Sequence, residues 1–224
     1  MKQKTKKIFL LFIIGLISTI TFAQDSISKI HPSTPMPVEL DAGNNRFGVQ
    51  FLVNKHFPNS KHFNILALTS FASDYKNNLS NLDFISNTQV SYDIWKGFGL
   101  AIGTSVNAKT GFVSVAALEY VFANKQILFV ITPNIHISDS YNLEGLTVLE
   151  YKPAISKTIH LYSRFQALYN HNTKGDFHER SYIQLKLGLG INSYQLGLAS
   201  IFDFYGPDKT LKANYGVFVR ANFN

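Results

Sequence analysis

From Ile183 to Asn192 every second side chain is apolar. Ile183, Leu185, Leu187, Leu189 and Ile191 alternate with Gln184, Lys186, Gly188, Gly190 and Asn192 without exception. A period of two belongs to a β-strand, and here one face is greasy while the other is small or polar. After Asn192-Ser193 the rule resumes. Tyr194, Leu196, Leu198, Phe202 and Phe204 oppose Gln195, Gly197, Ala199 and Asp203, with Ser200 and Ile201 breaking it. The final stretch repeats it, with Leu211, Ala213, Tyr215, Val217, Val219, Ala221 and Phe223 against Lys212, Asn214, Gly216, Arg220 and Asn222. Such strands exceed the roughly five or six residues usual in soluble sheets. They match the roughly 9 to 11 residues that cross a bilayer at a tilt. Hydrocarbon leaves no partner for an unpaired strand edge, so the sheet must close on itself. The fold class predicted is therefore all-β: a closed antiparallel transmembrane β-barrel.

Turn residues divide the rest of the chain into further strands. We read them at 37–42, 46–57, 62–72, 84–94, 98–107, 112–122, 126–138, 143–155 and 158–171, which with the three C-terminal runs makes about 12 strands. The count is 10 if the short first strand and one of the poorly alternating strands, 112–122 and 143–155, are not strands. Short joints such as Lys96-Gly97 and Asn192-Ser193 are expected to alternate with longer ones such as 73–83, which would put both ends of the barrel on one side. Aromatic residues gather near strand ends, as an interfacial girdle requires. Tyr92, Trp95, Phe98, Tyr120, Phe122, Tyr194 and Phe223 fall at the short-turn side; Phe71, Phe84, Phe112, Tyr169, Tyr182, Phe202 and Phe204 fall at the other.

The N-terminus carries Lys2, Lys4, Lys6 and Lys7, an apolar run from Ile8 to Ile17, and small residues Thr21 and Ala23. This is the pattern of a cleaved signal peptide, residues 1–23. Residues 24–37, with Pro32, Pro35 and Pro37, form an extended lead-in, and 38–224 the barrel. Of the formal charge of +7, most comes from the four leader lysines; without them 17 basic side chains face 14 acidic ones, about +3. A nucleic-acid partner loses its support. The chain has no cysteine, which excludes lipid attachment through one and disulfides.

The leader, the alternating strands and the ending Tyr215-Gly216-Val217-Phe218-Val219-Arg220-Ala221-Asn222-Phe223 together resemble the outer-membrane β-barrel proteins of Gram-negative bacteria, small porin-like members included. The resemblance implies outer-membrane lipid around the barrel and recognition of the last strand by the barrel-assembly machinery. In that family the strand ends on an aromatic residue; here Asn224 follows Phe223.

A lysine or arginine on the lipid face costs about 2–4 kcal/mol at the bilayer midplane, so charges within strands are expected to face inward. The candidate lumen-lining acids are Asp93, Glu119, Glu150 and Asp203; the bases are Lys152, Arg164, Lys186, Lys212 and Arg220. Such a mixed-charge lumen suits a passive porin or small-solute channel for small polar solutes. The alternative is a closed barrel with a structural or surface-binding role, with Tyr75, Tyr141, Phe177 and Tyr205 exposed in loops. Inward Gly48, Gly99, Gly103, Gly188, Gly190, Gly197 and Gly216 either leave room in the lumen or relieve crowding between coiled strands. His136-Ile137-Ser138 has the spacing of barrel acyl hydrolases that act on lipid, but His136 points inward and no acid is clearly placed to orient it, so no catalytic residue is assigned. His160, His171 and His178 lack metal-ligand spacing, and no cofactor motif occurs. A chain built this way should require detergent after purification, and its gel mobility should change on boiling; unchanged mobility would remove the barrel.

Overall fold

The structure, a computed structural model, describes residues 35–58, 60, 62–76 and 82–223. The signal peptide and most of the lead-in lie outside the described residues. Twelve strands follow one another: β1 Met36–Gly43, β2 Arg46–His56, β3 Phe63–Asp74, β4 Asp83–Trp95, β5 Phe98–Asn107 and β6 Gly111–Ala123. Then come β7 Ile127–Ile137, β8 Leu143–Tyr151, β9 Ile159–Asn172, β10 Phe177–Ile191, β11 Tyr194–Tyr205 and β12 Thr210–Phe223. Each pairs antiparallel with its sequence neighbours, and β1 closes the ring against β12 from Met36↔Phe223 to Gly43↔Gly216. The closed 12-strand antiparallel barrel expected from the alternation is thus the fold. Both ends of the ring fall at one rim, called here the near rim; the Asn44-Asn45 turn lies at the far rim.

The strand bounds differ from expectation in three informative places. β1 runs from Met36 to Gly43, one residue longer at each end than the expected 37–42, and Pro37 pairs with Asn222 at the seam. β8 stops at Tyr151 instead of 155, because Pro153 follows and cannot donate to a ladder. β10 begins at Phe177, ahead of the clean alternation, with a register shift between His178 and Arg180 that hides the period there. With these extensions the connections are short at both rims, two to eight residues at the far rim and two to seven at the near one. The expected contrast of short turns and long loops is therefore absent.

The outward row is apolar and exposed: Leu185, Leu187 and Leu189 on β10, Leu196 and Leu198 on β11, and Val217 and Val219 on β12. Such a belt is stable only against hydrocarbon. Its near-rim border is a chain of touching rings. Phe63 meets Tyr92 at 5.2 Å, Trp95 meets Phe98 at 6.2 Å and Phe98 meets Tyr120 at 4.3 Å. Tyr182 leaves the far girdle, pointing inward and buried.

The inward glycines answer a packing need. Gly188 and Gly197 face each other across β10 and β11, and a Cβ on either would run into the carbonyl oxygen of the neighbouring strand. Gly103 stands in the same way against the carbonyl of Thr88. They serve close approach between coiled strands, not a wide lumen.

Replacing Leu187 by Arg in the outward row is expected to lower the unfolding free energy in lipid by about 2–4 kcal/mol, while Leu187→Phe changes it little; denaturant titration in vesicles measures both.

Candidate functional site

Inward-facing side chains meet across the barrel and divide its interior into two unlike halves. One half, along β8 to β12, β1 and β2 and joined at the far rim by Asp83 of β4, carries a ladder of charges running from rim to rim. At the far rim Arg46 Nη1 lies 3.1 Å from Asp83 Oδ2, and Arg46 Nη2 donates to Asp203. Arg180 Nη2 donates to Asp203 Oδ1 at 2.8 Å and approaches Asp83 at 3.6 Å. β4 and β10 stand opposite each other in the ring, so this last pair bridges the whole interior. Tyr205 donates its hydroxyl to Asp83 and has the cations Arg180, Lys212 and Lys109 within 5.2 to 5.6 Å of its ring.

Below these groups the amides of Gln50 and Gln166 meet at 3.2 Å, and Gln166 Nε2 donates to the Tyr182 hydroxyl at 2.7 Å. Next comes the seam strand. Lys186 Nζ donates to Asp41 at 2.6 and 2.8 Å and to Glu39 at 2.5 Å. Arg164 reaches Glu39 at 3.4 Å and Glu150 at 3.8 Å. Arg220 donates to Glu150 and to the Tyr162 hydroxyl, and Lys152 reaches Glu150 at 3.2 Å near the near rim. Phe218 fills the space between, its ring 5.4 Å from that of Tyr162 and 5.6 Å from Lys186 Nζ. Ion pairs at this depth are held by mutual geometry, since each charge has lost its water.

The other half is a mixture. Leu52, Leu66, Leu68, Ile85, Val130, Leu146, Val148 and Leu168 form one apolar cluster inside the barrel. Around it lie two neutral polar groups, each holding one acid. Glu119 accepts from Ser91 at 2.6 Å and Asn64 at 3.4 Å. Glu144 accepts from the amides of Asn87 at 3.0 Å and Asn170 at 2.8 Å. Between the two, Thr132 donates to Gln89 at 3.0 Å. The apolar cluster and the ladder fill the middle of the interior: Val130, Val148, Gln166 and Glu150 are each 0 % exposed.

Of the residues singled out from sequence, Glu150, Arg164, Lys186, Asp203, Arg220 and Lys152 come together in the ladder. Glu119 lies in the other half. Asp93 sits at the end of β4 and accepts from Gly97 N at 3.1 Å, so it caps the Lys96-Gly97 turn. Lys212 lies exposed at the far rim over Tyr205. Tyr205 turns inward, while Tyr75 and Tyr141 are exposed and Phe177 opens β10. His136 is buried inward at 3 % exposure, 3.9 Å from Glu144, and Ser138 bonds Ser140 at 3.0 Å. His171 pairs with Asp176 at 3.2 Å, and His178 with Gly206 O at 2.7 Å.

Sequence reasoning passed over Glu39, Asp41, Arg46, Asp83, Arg180 and Glu144. Glu39 and Asp41 were signalled by their alternation with Val38, Leu40 and Ala42. Arg180 had no such signal, because the register shift precedes it.

Removing one member of a buried pair leaves the other uncompensated. Arg220→Met is expected to cost about 3–5 kcal/mol, and Arg220→Met with Glu150→Gln distinctly less than the sum of the two single changes; a double-mutant cycle by denaturant unfolding measures the coupling.

No protein-family model matches the chain, and no curated protein matches it in sequence. Among solved structures it is similar to the NanC porin, with a TM-score of 0.50 at 10% identity over 84% of this chain and 99% of that one. It also aligns with the KdgM porin, TM-score 0.48 at 11% identity over 84% and 99% of the two chains. OmpT of Vibrio cholerae aligns at TM-score 0.38 and 8% identity over 85% and 96%. At such identities the likeness is one of fold alone: the chain shares a closed antiparallel β-barrel with the NanC porin.

Proposed function

We propose that the chain is an outer-membrane barrel working as a small-solute channel of porin type, its passage constricted by its own side chains. The observation that carries the reading is the ladder: charges of both signs succeed one another from Asp83 and Arg180, which meet across the far rim, to Lys152 at the near rim. A barrel filled only for stability is served as well by packed apolar groups, which avoid the cost of desolvating charges. A rim-to-rim file of fixed charges gives a polar solute successive partners for the water it sheds. The fold shared with the NanC porin supports the same reading. Its partners in this reading are outer-membrane lipid, the barrel-assembly machinery acting on β12, and small polar solutes. No step calls for an enzyme: His136 faces the lumen, away from lipid.

The apolar cluster inside the barrel favours a second reading, a closed barrel with a structural role. Leu66, Leu68, Val130 and Val148 pack as a soluble core does.

Conductance in planar bilayers separates the two. The wild-type barrel is expected to carry small currents, and Phe218→Ala, which empties the ladder's aromatic filler while keeping every charge, to raise them several-fold. Folded protein that passes no current in either form would leave the structural reading.

A further inference from the structure

The two halves of the interior differ in charge balance. In the ladder Glu39, Asp41, Glu150 and Asp203 each lie within 4 Å of an arginine or lysine. Among the described residues the two buried acids of the other half, Glu119 and Glu144, have no such partner, and Glu144 is the more enclosed by amides. Its surroundings are Asn87, Asn134, Asn142, Asn170 and His136, all nearly fully buried. Asn87, Asn134 and Asn170 donate amide hydrogens to its carboxylate at 3.0, 3.5 and 2.8 Å, and Asn142 donates to Asn170 Oδ1 at 2.7 Å. His136 Nε2 stands 3.9 Å away. This carboxylate is therefore buried with no arginine or lysine beside it and with His136 as its titratable neighbour, a state that costs several kcal/mol unless something positive joins it.

The second observation is independent of the acid. Asn87 Oδ1, Asn134 Oδ1, Asn142 Oδ1 and His136 Nε2 are all buried without a hydrogen-bond partner. Buried polar atoms are normally paired, and among the unpaired ones of the described interior these four gather in the one group that holds Glu144. Each orphan amide oxygen of Asn87 and Asn134 shares its carbon with a nitrogen that touches Glu144, so these oxygens lie beside the same carboxylate. Amide oxygen and nitrogen exchange places by rotation of the group. A carboxylate with several asparagine carbonyls is the oxygen set that hard cations take.

We infer that this cage binds one hard inorganic cation, sodium or calcium in class, through the Glu144 carboxylate and the side-chain carbonyls of Asn87, Asn134 and Asn142. Cation binding neutralises the carboxylate and gives the orphan oxygens their partner. The cage is built from β4, β7, β8, β9 and the β7–β8 connection, and the ion's own ligands tie three of these strands, β4, β7 and β8, to that connection. The site stands whether or not the barrel conducts.

The test uses the full chain folded in detergent micelles, with unfolding followed by gel mobility in calcium, sodium or choline chloride at equal ionic strength. Calcium or sodium should raise the midpoint saturably, by several degrees above choline. Glu144→Gln should abolish the rise, and Asp176→Asn, in an exposed far-rim turn, should keep it. Equal midpoints in the three salts, or a rise that survives in Glu144→Gln, would overturn the site. Should Glu144→Gln fail to fold, Asn134→Val decides. Removing one carbonyl must raise the half-saturating ion concentration at least several-fold, and an unchanged concentration refutes the cage.

Discussion

Everything else depends on the pairing of β1 with β12. In hydrocarbon an unpaired backbone amide or carbonyl finds no water, so a sheet with two free edges has no stable form there. Closing the ring removes both edges at once. The seam runs the length of β1, the shortest of the twelve strands, and each of its eight residues has a partner on β12. Once the ring is closed, strand alternation sends apolar rows to lipid and all remaining side chains into a common interior.

That interior is too narrow for its contents to stay apart. Side chains from strands far around the ring meet: Arg46 on β2 with Asp203 on β11, Arg164 on β9 with Glu39 on β1, Asp83 on β4 with Arg180 on β10. Two kinds of packing fill it. Along one wall opposite charges neutralise each other. Along the other, leucine and valine pack against one another and leave acids surrounded by amides. The first kind depends on a partner for each charge, whereas the second depends on shape. They differ in how they respond to substitution, because losing a partner strands a charge while trimming a leucine leaves a void.

The architecture was legible in Ile183 to Asn192 alone, where outward leucines and inward small or polar groups obey one period. The poorly alternating strands were obscure for a definite reason. In β8 the inward row is Glu144, Leu146, Val148 and Glu150, so apolar side chains occupy both faces. The same holds in β6, where Val115 and Ala117 face inward. A polar-inside rule fails wherever the interior holds its own apolar cluster. The ion pairs were less legible still. Parity shows that Lys186 and Glu39 both point inward, but which inward groups meet depends on strand tilt and stagger around the whole ring. The far-rim acid and base, Asp83 and Arg180, stand at strand starts that turn signals placed too late.

The short β1 has a further consequence for assembly. It brings Glu39 and Asp41, the two acids that hold Lys186 and help hold Arg164. Until β1 docks, those two cations, already carried on β9 and β10, lack these counter-charges. Zipping the last seam is thus an electrostatic event as well as a backbone one, and neither gain is available without the other. A nascent cylinder lacking its first strand would be left both open-edged and electropositive within.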